Sequence, residues 1–250
     1  MLKRPDNSKK LWYNKKQWHK RQNALRQVQD VDIFDVIGPI MIGPSSSHTA
    51  GAVRIGCVAR RLLGCPVEKA EIGLYGSFAS TYQGHGTDRA IVAGLMDMPV
   101  DDPRIRDSIA LAEAAGMQFR FFEVDNLRDA HPNTVLIRAE GGGAKIELQA
   151  ASVGGGAIRV EKLDGIRVSF SGKNNTLIIM HTDAPGVIAH VTSLLAGQSV
   201  NIAAMQVFRT VPGGVAVMVI EADDLPSSSM MDCLRGLRGV HTVTLLMKLD

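Results

Sequence analysis

The sequence predicts an α+β fold in two parts. The first part carries its helices early and a largely antiparallel sheet late, and the second is a smaller βαββαβ unit of ferredoxin-like order. Three observations carry this. Apolar residues at helical spacing fall within 48–63, 87–95 and 103–115. Four short runs of strand character then follow one another at 117–124, 133–139, 145–151 and 157–163. After a stretch rich in Gly, Ser and Asn at 164–175, which holds one short strand, the pattern resets. It then alternates strand, helix, strand, strand, helix, strand over about 75 residues.

Each element has a local reason. Residues 31–48 read as a short apolar segment entering a Gly/Pro loop. In the helix over 48–63, Val53, Ile55, Val58, Leu62 and Leu63 share one face, Ser46 or Ser47 is placed as N-cap, and Gly64 closes it. Residues 69–75 alternate like a strand. Thr87-Asp88 reads as the N-cap pair of a short helix, and Pro103 and Gly116 bracket another. The turns between the four strands hold Asn126, His131-Pro132-Asn133 and the glycines at 141–143 and 154–156. In the second part, strands are expected at 176–181, 200–208, 215–221 and 240–247, with helices from Pro185-Gly186 to 196 and over 227–235. Met180, Met205, Met218 and Met247 are expected as core filler. The domain limits drawn are 1–29, a basic extension without a fold, 30–170, and 174–250.

Composition excludes several functions. The 250 residues are 45 % hydrophobic and 21 % charged, as in a soluble globular chain. No apolar run approaches the roughly 20 residues of a membrane helix, so no membrane partner is expected. Cys57, Cys65 and Cys233 are odd in number and lack C-x-x-C spacing. They form neither a disulfide framework nor a self-contained zinc or iron–sulfur site, and a reducing, cytoplasmic setting is expected. The net charge of +3 hides an asymmetry. Residues 1–29 hold nine Lys/Arg against one acid, and the rest hold nineteen against twenty-four. An acidic body without interleaved aromatic residues does not read as a nucleic-acid binder. Neither G-x-x-x-x-G-K-[ST] nor a G-x-G-x-x-G heading a βαβ unit is present.

The densest polar cluster is Gly43-Pro44-Ser45-Ser46-Ser47-His48-Thr49-Ala50-Gly51, where a loop runs into a helix. The free N–H groups of a first helical turn attract a carboxylate or phosphate, the serines add donors, and His48 stands beside them to move a proton. The bland alternative is a serine-rich cap with an incidental histidine. Gly84-His85-Gly86 and His131-Pro132-Asn133 place two more histidines before turns or helices, though their spacing defines no geometry. At residues 181–186, His-Thr-Asp-Ala-Pro-Gly joins strand to helix in a turn able to hold a small amino acid.

Taken together, the strings FDVIGPIMIGPSSSHTAGAVRIG, YGSFASTYQGHGTDRAI, HPNT and SVGGGAI, followed by the βαββαβ unit, resemble the beta subunit of two-chain, iron–sulfur-dependent bacterial L-serine dehydratases. The resemblance covers about 215 residues from Ile33 onward. It implies an allosteric-substrate-binding-like α+β domain, then an ACT domain, in a lyase of amino-acid metabolism and gluconeogenesis that converts L-serine to pyruvate and ammonia. It implies a [4Fe–4S] cluster held by a partner alpha subunit, with no metal ligands on this chain and no pyridoxal phosphate. His48 is then the expected proton-transfer group, with His85 and His131 as further catalytic candidates. Ser45, Ser46, Ser47, Thr49, Gly154 and Gly155 are expected to bind substrate, and Asp183, Gly186 and Asn201 an amino-acid effector. The competing expectation is a non-catalytic amino-acid-sensing regulatory module.

Overall fold

The computed structural model describes residues 40–127 and 129–248. The basic extension at 1–29 lies outside the described residues, as does the first part of the apolar segment at 31–48. The first six strands form one sheet in the order β2-β1-β3-β4-β5-β6: β1 (Lys69–Leu74), β2 (Gln118–Glu123), β3 (Thr134–Gly141), β4 (Ala144–Gly154), β5 (Ala157–Leu163) and β6 (Ile166–Phe170). Only β1 and β2 pair in parallel; the remaining pairs are antiparallel. The α+β class holds, and the order of helices before strands is the order read from the sequence.

Helices α1 (Ala52–Leu63), α2 (Ser77–His85), α3 (Thr87–Leu95) and α4 (Ser108–Ala114) accompany this sheet. A π-turn at Ser46–Gly51 leads into α1, and a 3₁₀ turn at Pro103–Asp107 leads into α4. Helix α1 is strongly amphipathic, burying Val53, Ile55, Val58 and Leu63. It crosses α3 at two glycines. A Cβ on Gly56 would meet the Ile91 carbonyl oxygen at 2.5 Å, and one on Gly94 would run into the Val53 carbonyl. Helix backbones this close leave no room for side chains at the crossing, and the contact holds the N-terminal half of α1 against the C-terminal end of α3.

The second sheet has the order β10-β7-β9-β8: β7 (Asn175–Thr182), β8 (Ile202–Arg209), β9 (Val215–Ala222) and β10 (Val240–Leu246). With α5 (Val187–Gly197) and α6 (Ser228–Arg235) the chain order is βαββαβ, the predicted ferredoxin-like arrangement. Strands β7 and β9 read as near-continuous apolar runs because both of their faces are covered. Leu177, Ile179, Met218 and Ile220 pack with Val191, Leu195, Met230 and Leu234 of the helices. Their alternating neighbours Ile178, Val217 and Val219 join the core of the first sheet instead. Of the four methionines expected inside, Met218 is fully buried, but Met205 and Met247 are exposed, since β8 is an edge strand and Met247 follows the end of β10.

Three local expectations need correction. Residues 77–85 form helix α2, which the sequence pattern left without an element. The cap of the first helix is Ser45, not Ser46 or Ser47, because the π-turn starts the helical path earlier. Helix α3 has no side-chain cap from Thr87 or Asp88. Gly86 precedes it at φ +70, a left-handed conformation that a glycine adopts without strain and that turns the chain from α2 into α3. Among the described residues no helix is long and apolar enough to cross a membrane.

Candidate active site

The serine loop is seated on the end of β4. Ser45 has an extended backbone, and its Oγ accepts the His48 backbone N–H at 3.2 Å, while its carbonyl accepts from Thr49 N at 2.8 Å. Gly51 closes the π-turn against Ser152, whose hydroxyl would be struck by any Cβ at Gly51. Gly43 lies against Thr49 in the same way: a Cβ there would stand 2.5 Å from the Thr49 Oγ1. These contacts aim the His48 side chain at the first residue of α2. Its Nε2 lies 3.2 Å from Ser77 Oγ and its Nδ1 lies 3.4 Å from Ser45 Oγ. The ring meets Phe78 edge-on at 5.2 Å and stands 4.9 Å from the His85 ring.

Burial pushes the pKa of His48 below its ordinary value, and the neighbouring His85 pushes it the same way; hydrogen bonding to the Ser77 backbone opposes both. At neutral pH the imidazole is therefore neutral and able to accept a proton. His85 ends α2 and is exposed. A cavity of about 210 Å³ opens beside it, lined by Gly43, Thr49, Gln83, Arg89 and Arg106 among others. The structure thus brings His48, His85 and the serine loop together.

His131 sits differently. Its Nδ1 accepts the Asn133 backbone N–H at 3.1 Å, and it makes no hydrogen bond or ring contact with His48 or His85. Its turn instead supports α2: the Pro132 carbonyl accepts from Ser77 N at 2.8 Å and from Phe78 N at 3.4 Å. Gly154 ends β4 and Gly155 begins the turn to β5, which Arg54 fastens to α1 through a 2.8 Å bond from Nη1 to the Gly156 carbonyl. Ser46 and Ser47 form the first half of the π-turn and are half-buried.

Three buried polar atoms around this loop have no hydrogen-bond partner among the described residues: Thr49 Oγ1, Asn133 Oδ1 and Ser152 Oγ. Asn133 and Ser152 are neighbours across β3 and β4, joined by a bond from Ser152 N to Asn133 O. Such groups each cost on the order of 1–3 kcal/mol when left unsatisfied, so their concentration marks a place built to receive a polar guest. Sequence reasoning assigned no role to Ser77 or Asn133. The only signal for Ser77 was a hydroxyl in a Tyr-Gly-Ser string with no helical pattern behind it.

The three expected effector residues do not converge within one chain. The Asp183 carboxylate accepts from Gly213 N at 3.0 Å and from the Arg209 guanidinium, and these two bonds hold its pKa below the usual carboxylate range. Gly186 opens α5 close by. Asn201 lies at the other end of the sheet, where it donates to Asp223 at 2.6 Å beside the start of β8. The eight residues of β7 separate the two ends, roughly 26 Å at about 3.3 Å per residue.

The cysteines do not suit an iron–sulfur cluster. Cys57 is buried in α1, where its Sγ donates to the Met98 carbonyl at 3.3 Å and burial pushes its thiol up to about 12. Cys65 adjoins Gly141 and Gly142, and Cys233 is exposed on α6. Among the described residues no group of three or more His, Cys, Asp or Glu side chains is placed to hold a metal ion.

Comparison with known proteins agrees with this picture. Residues 31–163 match the family model for the serine dehydratase beta chain, and residues 177–244 match that for an AHAS small subunit-like ACT domain. The chain is 44 % identical over 212 residues to the "Probable L-serine dehydratase, beta chain" of Bacillus subtilis, covering 85 % of this chain and 96 % of that one. It is 37 % identical over 215 residues to the "L-serine dehydratase, beta chain" of Peptoniphilus asaccharolyticus, again covering 85 % and 96 %. A D-3-phosphoglycerate dehydrogenase of Synechocystis is 28 % identical over 199 residues, covering 78 % of this chain but 36 % of that protein. With a family model spanning more than half of its length and relatives matched almost end to end, the chain belongs to the serine dehydratase beta chain family.

Proposed function

We propose that this chain works as the beta subunit of an L-serine dehydratase, converting L-serine to pyruvate and ammonia at a site shared with an alpha subunit. The observation that carries the reading is the His48 imidazole, set between the hydroxyls of Ser45 and Ser77 beside buried polar groups unpartnered among the described residues. Ser45, Ser46, Ser47 and Thr49, with the N–H groups of the π-turn and of the 154–155 turn, receive the substrate carboxylate. His48 takes the Cα proton. The electron pair so released forms the Cα–Cβ double bond as the hydroxyl leaves, and the enamine becomes an imine that water hydrolyses to pyruvate and ammonia. One water is lost and one consumed, so the reaction balances. His85 orients the substrate or shuttles a proton, and His131 acts more remotely.

The three cysteines do not fit a [4Fe–4S] cluster, so we assign the cluster to the alpha subunit, and no step on this chain runs through it. Pyridoxal phosphate has no part in the reading. The domain limits remain 1–29, 30–170 and 174–250, the setting is the cytoplasm, and the reaction feeds gluconeogenesis. The ACT domain takes a small amino acid at the turn containing Asp183 and Gly186.

Anaerobic co-expression with a cysteine-rich alpha chain tests this. Pyruvate formation from L-serine is expected only when both chains are present. An iron-loaded mixture that forms no pyruvate would overturn the reading in favour of an amino-acid-sensing module.

A further inference from the structure

We infer that Ser77 is a positioning residue for His48, holding the imidazole in the tautomer that carries its proton on Nε2 and turns the Nδ1 lone pair toward the serine loop. The inference rests on the proposed role of His48 as the base and adds what sets its orientation. Ser45 Oγ accepts the His48 backbone N–H and still carries its own hydrogen to donate; in the assigned tautomer Nδ1, at 3.4 Å, accepts it. The complementary Nε2–H then donates to Ser77 Oγ at 3.2 Å. The longer of the two contacts is on the serine-loop side, where a substrate proton would arrive.

The Ser77 hydroxyl makes no other hydrogen bond with the described residues, so it is not spent on capping α2. Capping falls to the 131–133 turn, whose Pro132 carbonyl takes the N–H groups of Ser77 and Phe78. Gly76 allows this approach: its φ is +58, and a Cβ there would stand 2.7 Å from the Pro132 oxygen. The His131-Pro132-Asn133 turn therefore fixes the place of Ser77, and Ser77 fixes the imidazole. Once protonated, the imidazolium keeps an acceptor at Nε2–H, the part an orienting group plays in a catalytic triad.

The test uses the assembled two-chain enzyme carrying Ser77→Ala or Ser77→Thr, with His48→Ala as reference. Ser77→Ala is expected to lower kcat by about tenfold or more, part of the ~10²–10⁴-fold that positioned proton transfer supplies, with KM little changed. It is also expected to move the acid limb of the kcat profile to lower pH, and Ser77→Thr to restore both. Nitrogen chemical shifts of His48 in the labelled full-length chain should report the Nε2–H tautomer in the wild type and a mixture in Ser77→Ala. A Ser77→Ala enzyme with the wild-type tautomer and pH profile, while His48→Ala is inactive, would overturn the inference alone. An active His48→Ala enzyme would overturn the reading beneath it as well.

Discussion

The loop leading into α1 and the turn leading into α5 are built from the same kinds of residue, short polar side chains and glycine at a helix entrance, yet they leave their polar groups in opposite conditions. Around the first, Thr49 Oγ1, Asn133 Oδ1 and Ser152 Oγ lack partners among the described residues, and His48 is held by two hydroxyl contacts longer than 3 Å. In the second, Asp183 is bound to Arg209 and to Gly213 N, and Asn201 at the far end of that sheet is bound to Asp223. The one orphan there is His181 Nε2, inside the sheet rather than at the helix entrance. A fold that keeps several unsatisfied groups at one end gives up stability for a binding capacity, whereas a turn whose charges are paired is held shut by them. An amino acid entering at 183–186 must compete with Arg209 for Asp183.

The comparison can be broken in four ways. The largest effect expected is that of His48→Ala in the assembled enzyme, a loss of at least about 100-fold in kcat with assembly retained, measured by pyruvate formation and size-exclusion chromatography. Next is Gly94→Ala, which sets a methyl against the Val53 carbonyl at the α1–α3 crossing. It should cost roughly 1–3 kcal/mol, read as a fall in urea midpoint, and activity should fall with it because α1 carries the serine loop at its N-terminal end. Third, Ser152→Ala and Asp183→Ala should differ in their effect on Tm. Removing an orphaned hydroxyl should leave Tm unchanged or raise it while KM for serine rises, and removing a satisfied carboxylate should lower it. Equal losses of Tm would end the contrast.

The smallest effect is on pH dependence. Folding lowers the His48 pKa, so below its ordinary value near 6.5 the unfolded chain binds a proton that the folded chain refuses. The stability His48 contributes is complete above that pH and is lost as pH falls through it. His48→Gln should show a shallower decline in Tm between pH 7 and 5.5 and no difference in slope above pH 7.

Much of this was legible in the sequence where periodicity and punctuation agree. Helix α1 declares itself by its apolar stripe and its terminal Gly64, and β5 by alternation between glycine turns. Helix α2 did not, because Ser-Phe-Ala-Ser-Thr-Tyr-Gln-Gly-His has no apolar stripe. Its helicity comes from one fully buried side chain, Phe78, and from a carbonyl donated by a distant turn. Ser77 was missed for the same reason. The histidines and serines of the site could be named from their local context, but the ring contact of His48 with His85 and the seating of the His131 turn against Ser77 are set by tertiary packing. Topology, not sequence distance, divides the effector set: Asp183 and Asn201 are eighteen positions apart in the sequence but at opposite ends of one strand's length in space.

The π-turn at Ser46–Gly51 also bears on how such a loop can change by descent. A π-turn is what a helix becomes when one residue is inserted without shifting the residues on either side. Deleting one residue between Ser46 and Gly51 would let the segment relax to an ordinary α-helix, and everything before the deletion would rotate by about 100° around the axis. His48 would leave Ser77, while Val53, Ile55 and the Gly56 crossing would stay where they are. A chain one residue shorter at this point could therefore keep its core and lose its chemistry in a single step, a route by which a catalytic domain becomes a purely ligand-binding one.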